Sequence, residues 1–376
     1  MRVLQIVSCR GWSSDAYWAA RISVELERAG HQVVFACRRG TESRVIDRAR
    51  AAGVRRIEML ELTGGVRPAA DAADVRRLRR WLADVDVVHT HRGKEHWLAA
   101  LANRLSVAPR PLVRTRHIVQ PVRPHPLNRW LYRKATALVV TVTEAIRRQY
   151  LAAGLVEADR VVALPGGVDA EAWQPGRSPR PLRAALGVAD GVPVVGLLGG
   201  FRVMKGHTVA LEAAARLVRA GRSFHVALVG SGSMDLTIRA LRARLGLTHR
   251  VTIMDGRVDA PEAVAGFDAA LYVPLESDGM SRVLFEYLAA GRPVVASRVG
   301  VVPEVLVDRE SALLVPGGEV GALGDAIEAV LDDPALRAGL GAAGRELVER
   351  RFSGARIAEA LAARYATLAA PAAPVS

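Results

Sequence analysis

A short apolar run followed by a helical repeat recurs along this chain, and near the middle the pattern stops and starts again. That repetition limits the fold more than any other feature. In the first half, the runs at 3–7, 33–37, 85–89, 112–115 and 139–143 read as buried strands. Between them, 16–29, 44–52, 74–83, 96–105 and 127–135 have helical spacing, and Thr143 and Glu144 open a further helix. Alternation of this kind predicts parallel strands joined by helical crossovers. Pro165-Gly166-Gly167 then breaks the pattern, and 174–181, rich in Pro and Arg, reads as a linker. Strands resume at 192–198, 225–229, 251–254, 269–273 and 293–296. Helices follow at 209–220, 236–245, 260–265, 282–290, 320–331, 334–351 and 355–368. Two successive doubly wound α/β halves are the result, and ligands on such sheets sit beyond the carboxyl ends of the strands.

Composition fits that reading. With 376 residues, 50% of them hydrophobic and 24% charged, the chain suits two ordinary domains and is not a disordered one. The charge is uneven. Residues 1–165 hold 29 basic and 15 acidic side chains, while the remainder holds 23 of each, so the whole net charge of +14 lies in the first half. A half like that expects an anionic partner. Only Lys94, Lys134 and Lys205 interrupt an otherwise all-arginine set of cations. Cys9 and Cys37 each close an apolar strand, which predicts buried thiols rather than a disulfide framework or a zinc site. No apolar run reaches the roughly 18 residues of a membrane span. Met1-Arg2 leads straight into a strand without a signal-peptide pattern, so the expected location is cytoplasmic.

Three loops after strands of the second half carry chemistry. Gly199-Gly200-Phe201-Arg202-Val203-Met204-Lys205-Gly206-His207 places glycines, an arginine and a rare lysine between a strand and a helix. Glycines let a backbone approach phosphate, and the helix start supplies free N–H groups. Gly230-Ser231-Gly232-Ser233 repeats the device. Either loop alone is compatible with a plain tight turn; the two in one domain favour a nucleotide site. The third stretch runs Asp278-Gly279-Met280-Ser281-Arg282-Val283-Leu284-Phe285-Glu286, then Tyr287-Leu288-Ala289-Ala290-Gly291-Arg292-Pro293-Val294-Val295. Glu286 sits among apolar neighbours, where an unpartnered carboxylate is costly. It needs a donor, either a ligand hydroxyl such as ribose or an internal ion pair.

This last segment resembles the signature of retaining GT-B glycosyltransferases of family 4: an acid, seven residues, a Glu, an Ala-rich helix, then Gly-x-Pro-Val-Val. Gly30-His31-Gln32-Val33, Asp86-Val87-Val88-His89-Thr90-His91, Pro165-Gly166-Gly167-Val168-Asp169, Lys205-Gly206, Gly230-Ser231-Gly232 and Pro303-Glu304 resemble further family motifs in the same order. The resemblance implies a GT-B fold, two doubly wound parallel-sheet (Rossmann-like) domains facing a central cleft. It implies an acceptor-binding domain over 1–166, with a C-terminal helix over about 353–376 packing back on it. The donor-binding domain is then 167–352.

The resemblance also assigns roles. Glu286 would bind the ribose of a UDP- or GDP-linked sugar, a co-substrate rather than a cofactor. Asp278, where the family has Glu, would contact hydroxyls of the donor sugar. Amides of Gly279, Met280 and Ser281, with the loops of Gly199, Gly200, Gly230 and Gly232, would hold sugar or diphosphate. Lys205 would neutralise the diphosphate leaving group, with Arg202 in place of the arginine that the family has further upstream. Arg257 and Val258 stand where the family binds the base. His117, after the strand at 112–115, resembles the histidine near the reacting sugar, and the two flanking arginines, Arg114 and Arg116, favour a neutral ring. His89 and His91 are expected to be cap or wall residues. Ser13-Ser14 stand where the family has paired glycines. Asp84-Val85-Asp86 has the look of a metal-binding pair but precedes a strand, so no metal is expected.

The basic half is then the one that takes the acceptor. Arg110, Arg114, Arg116, Arg123, Arg129, Arg133 and Lys134 alternate with Trp130, Leu131 and Tyr132, and Arg76, Arg77, Arg79 and Arg80 flank Leu78 and Trp81. Basic helices with aromatic residues suit a phosphorylated or lipid-linked envelope acceptor, of the lipopolysaccharide type, or the anionic inner face of a membrane. Two other classes fit parts of the pattern. A sugar-nucleotide 2-epimerase of the same fold would need no acceptor. A basic nucleic-acid binder would explain the charge but not the strand-end loops, and no zinc-finger or RNP-like pattern is present.

Overall fold

The computed structural model describes residues 1–255, 259–277, 279–280 and 282–370. The chain divides into two compact units, one of Met1–Gly167 together with the segment beginning at Ser353, the other of Val168–Phe352.

The first unit is built on seven parallel strands: β1 (Arg2–Val7), β2 (Gln32–Arg38), β3 (Ile57–Leu60), β4 (Val87–Thr90), β5 (Leu112–Arg116), β6 (Leu138–Thr141) and β7 (Val161–Ala163). Their spatial order is β3-β2-β1-β4-β5-β6-β7. The chain winds outward from β1 to β3, then returns to the other side of β1 for β4, which pairs with it at Val3↔Val87. The switch point therefore lies between β1 and β4, where the carboxyl ends leave a crevice. Val3, Leu4, Ile6 and Val7 are all fully buried, as a central strand covered on both faces requires. The helix Ser14–Arg28 follows β1. It starts with extended Ser13, carries Asp15 in its first turn and Arg28 in its last, and gives way to Gly30 at φ +84. The helix Gly354–Ala369 packs against it, starting at Ser353, whose hydroxyl accepts from the Arg356 N–H at 3.3 Å.

The second unit has six parallel strands: β8 (Val194–Leu198), β9 (His225–Val229), β10 (Val251–Met254), β11 (Ala269–Tyr272), β12 (Val294–Ser297) and β13 (Leu313–Val315). Their order is β10-β9-β8-β11-β12-β13, with the switch point between β8 and β11. One face of this sheet is covered around Phe267, Tyr287 and Phe285, the other around Phe201 and Phe224. Gly196 lies inside β8 because Phe267 packs flat against it; a Cβ there would stand 2.2 Å from the ring.

Three strands escape the sequence pattern: β3, β7 and β13. Each has only three or four residues and each is an edge strand. The region 174–181 is also not a plain linker. The helix Arg180–Leu186 begins inside it and buries Leu182 against Gly266. Among the described residues, no helix is long and apolar enough to cross a membrane.

Candidate active site

In the second unit, the loops after β8, β9 and β11 close on one another beside the switch point. The Leu275 N–H donates to the Met204 carbonyl at 2.9 Å, tying the loop after β11 to the loop after β8. Gly206 makes that approach possible. It is left-handed at φ +72, and a Cβ would stand 2.0 Å from the Val273 carbonyl oxygen. On the other side, the Phe201 N–H donates to the Ser231 carbonyl at 2.9 Å, and a Cβ on Gly230 would stand 2.0 Å from the Gly199 oxygen. The glycines thus serve packing between loops, which leaves Arg202 exposed and Lys205 half-buried on the loop after β8. Lys205 ends a single turn, Val203–Lys205, and its N–H is held by the Arg202 carbonyl at 3.0 Å. Gly279 is left-handed at φ +92, with its N–H toward Ser277 Oγ at 3.4 Å, and Met280 is buried. Asp278, Ser281, Arg257 and Val258 lie outside the described residues.

Glu286 makes the internal ion pair, one of its two expected alternatives. It is 2% exposed on the helix Arg282–Ala289, and Arg282 Nε holds its Oε1 at 3.0 Å across one turn. Its Oε2 is buried and has no hydrogen-bond partner among the described residues. Burial pushes this carboxyl above its ordinary range, with Arg282 opposing. One oxygen is therefore spent on the fold, and the other is an acceptor awaiting a donor. The neighbouring Tyr287, which the sequence pattern treats as plain core, places its hydroxyl 2.5 Å from the Leu198 N–H and so ties this helix to the end of β8.

His117 lies in the first unit, just past β5. It is buried and lines a cavity of about 390 Å³ with Asp15, His91, Arg92, Arg114 and Arg116. Arg92 Nε donates to Asp15 Oδ2 at 2.5 Å, and the Ser13 hydroxyl donates to Asp15 Oδ1. Burial alone would raise the Asp15 carboxyl, but these donors hold it well below the usual carboxylate range. Arg114 is 2% exposed, and its Nε and Nη1 have no hydrogen-bond partner among the described residues. The His117 ring is driven down to about 3, chiefly by burial; Asp15 opposes the shift, and Arg114, Arg92 and Arg116 add to it. It is a neutral imidazole at any ordinary pH, as its arginine neighbours imply. Asp15 and Arg92 went unread because the pair joins positions 77 residues apart.

The aromatic character expected of the basic stretch changes in the structure. Leu131 and Tyr132 are core residues, and Trp130 is stacked on Trp97 with centroids 6.0 Å apart. Arg114 points inward, whereas Arg123, Arg129, Arg133 and Lys134 are exposed beside exposed Leu127. Asp86 accepts from the Arg2 N–H at 2.8 Å and from its guanidinium at 2.9 Å, at the amino end of β4 and away from the strand-end loops. Both cysteines are buried thiols, with Cys37 pushed up to about 12 by burial.

Residues 16–172 match the family model described as Glycosyltransferase Family 4, and residues 192–333 match that of Glycosyl transferases group 1. The 2-deoxystreptamine glucosyltransferase of Streptomyces kanamyceticus is 32% identical over 299 residues, covering 74% of this chain and 76% of that one. This chain belongs to the family 4, group 1 glycosyltransferases. The D-inositol 3-phosphate glycosyltransferase of Nocardia farcinica is 33% identical over 314 residues. That match takes in 74% of this chain and 66% of the relative, so the chain spans just under two thirds of its length. Among solved structures, Anabaena HepE in complex with UDP and glucose superposes with a TM-score of 0.82 at 20% identity, over 98% of this chain and all of the other. The two parallel-sheet units of this family 4 chain are those of the GT-B fold.

Proposed function

We propose that this chain is a retaining glycosyltransferase. It moves a sugar from a UDP- or GDP-linked donor to a hydroxyl of an anionic glycan or lipid-linked envelope acceptor. The observation that carries the reading is the joining of the loops after β8, β9 and β11, with Lys205 on the first and Glu286 on the helix that follows the last. Membership of the family and the UDP bound by Anabaena HepE support it. In this reading, Glu286 Oε2 accepts from a ribose hydroxyl, supplying the donor that its burial demands. Lys205 and Arg202 stabilise the negative charge that grows on the diphosphate as its bond to the sugar breaks. The acceptor hydroxyl attacks from the face the diphosphate leaves, which retains configuration, and its proton departs with that leaving group. No metal takes part, because the lysine and arginine supply the compensating charge. The cavity of His117, with Arg92 and Arg114 at its wall, receives the anionic acceptor.

A thermal-shift screen over UDP-, GDP- and ADP-sugars tests the donor. The correct one raises apparent stability by about 2.7 kcal/mol at a hundredfold excess over its Kd. Lys205→Ala should fold normally and lose roughly a hundred- to a thousandfold in kcat, the usual cost of removing one stabiliser of transition-state charge. Conversion of the donor to an epimeric nucleotide sugar without any acceptor would instead assign an isomerase. Loss of transfer in chelator, restored by Mg²⁺ or Mn²⁺, would overturn the metal-free scheme.

A further inference from the structure

Three imidazoles form a buried row under the cavity of the first unit. His89 and His91 stack with centroids 4.6 Å apart at 27°, and His91 and His117 with centroids 5.4 Å apart at 28°. Trp18 meets all three rings edge-on at 6.1, 5.7 and 5.5 Å, so none can swing away. An imidazole locked in this way still has one freedom, the choice of which nitrogen carries hydrogen. That choice decides whether His117 offers its ligand a donor or an acceptor.

The contacts along the row make the choice. The Gln5 amide turns its nitrogen toward the Tyr365 hydroxyl and its Oε1, which can only accept, toward His91 Nε2 at 2.8 Å. That nitrogen must therefore carry the hydrogen. His91 is fully buried and neutral, so its Nδ1 is bare. The bare nitrogen lies 3.1 Å from His117 Nε2, which must then be the donor of that bond. A neutral His117 has one hydrogen, now placed on Nε2, and its buried Nδ1 keeps a lone pair with no partner among the described residues. His89 takes no part in fixing the direction. It meets the Tyr365 and Thr115 hydroxyls at 2.5 and 2.6 Å, and each hydroxyl can give or accept.

We propose that Gln5 and His91 are positioning residues that set the tautomer of His117, holding its Nδ1 as a hydrogen-bond acceptor for a ligand hydroxyl in the Arg92–Arg114 cavity. The side-chain amide of Gln5, on β1, thus controls the polarity of a ring on the far side of β4. The role of the hydroxyl rests on the glycosyltransferase reading above; the tautomer does not. A carbonyl or an ionised phosphate oxygen would face a lone pair at this nitrogen and be rejected, while the neighbouring arginines take the anion. The hydroxyl could belong to the donor sugar or to the acceptor. Deoxy analogues of each distinguish the two, since removal of the contacted hydroxyl costs most where Nδ1 is its partner.

Long-range ¹⁵N–¹H correlation spectra of the ¹⁵N-histidine-labelled full chain near neutral pH test the relay. The nine histidines are assigned by single replacements. His91 and His117 should both show a protonated Nε2 and a bare Nδ1. In Gln5→Leu the acceptor is gone, and His117 should shift toward the Nδ1–H form. Its kcat should fall roughly ten- to a hundredfold with little change in donor KM, the scale of losing a group that orients a site residue. Gln5→Glu keeps an accepting oxygen and should restore both tautomer and rate. A protonated Nδ1 on wild-type His117 overturns the proposal, as does an unchanged His117 pattern in folded Gln5→Leu. If Gln5→Leu does not fold, the wild-type spectrum still decides. The expected tautomers without sugar transfer would leave the relay standing and remove the glycosyltransferase reading instead.

Discussion

Glu286 serves the fold with one oxygen and leaves the other buried without a partner. Stability and function should therefore pull this residue in opposite directions. Its folded carboxyl is raised by burial, so the folded chain holds this proton more tightly than the unfolded one. The contribution to stability is full below the unfolded pKa of 4.5 and is lost as pH rises through the folded value. Glu286→Gln keeps the shape and the acceptor toward Arg282 while removing the charge. It should be more stable than the natural chain at neutral pH, because the cost of burying a charge is removed even though the amide nitrogen takes over the unpartnered position. The gap should close on acidification below 4.5 in a pH series of melting curves. Donor kcat/KM should fall roughly ten- to a hundredfold, because the charged oxygen proposed to accept from the ribose hydroxyl becomes an amide NH2, a donor. A variant neither more stable nor less active would show that the second oxygen faces nothing of consequence. This residue was legible from the sequence because its apolar neighbours forced the question of its partner. Gln5 and His91 were not. Their chemistry appears only when β1, β4 and β5 lie side by side: nothing local marks Gln5, and the motif that contains His91 marks it only as a cap or wall residue. His117 shows the same limit: its neutral ring could be read from adjacent arginines, but the larger cause is burial by Trp18 and the other imidazoles, which lie far away in sequence.

Among the elements, loops rather than strands make the proposed donor site, and they do so through close backbone approach. Gly206 is the sharpest instance. Gly206→Ala must hold an L-residue at φ +72 while its Cβ meets the Val273 carbonyl at 2.0 Å. The backbone conformation alone costs about 1–2 kcal/mol, and relief of the clash requires the loops after β8 and β11 to part. The variant should melt several degrees lower and lose the thermal shift produced by the donor nucleotide. A lower melting point with an unchanged nucleotide shift would mean that the two loops need not touch to bind it. The order of elements was readable because central parallel strands are buried on both faces and show as continuous apolar runs. At three of the four sheet edges that signal fails, β10 being the edge strand that the apolar run at 251–254 still marks. The strands β3, β7 and β13 have three or four residues and are paired on one side only, so they carry neither length nor periodicity. They matter little to the site, since both switch points lie at the sheet centres, between β1 and β4 and between β8 and β11.

At the scale of the whole chain, the structure sharpens the charge division. The first unit gathers 31 basic and 16 acidic residues once the helix Gly354–Ala369 is counted with it, and the second holds 21 and 22. The net charges are +15 and −1, so the unit proposed to bind a nucleotide diphosphate has no excess of positive charge at all. Its affinity for the donor has to come from a few local groups on closed loops. The first unit instead carries a broad field, with Arg76, Arg77, Arg79 and Arg80 exposed on the helix Pro68–Trp81 and Arg123, Arg129, Arg133 and Lys134 exposed beside Leu127. Exposed charges spread over a surface act at distances that salt screens, with a Debye length of about 8 Å at physiological ionic strength. Each contributes about 1 kcal/mol near an anionic bilayer. The two binding functions should therefore separate in a salt titration of the full chain. Flotation with vesicles containing anionic lipid should be strong at low salt and fall steeply with added salt. The thermal shift produced by the donor nucleotide should change little over the same range. Charge reversal at Arg76, Arg77 and Arg80 should weaken flotation and leave the nucleotide shift intact. Flotation that is absent at low salt would assign the field to a free anionic acceptor, held by Arg92 and Arg114, and not to a membrane surface. Parallel decay of both signals would mean that the charge is not divided by task between the two units.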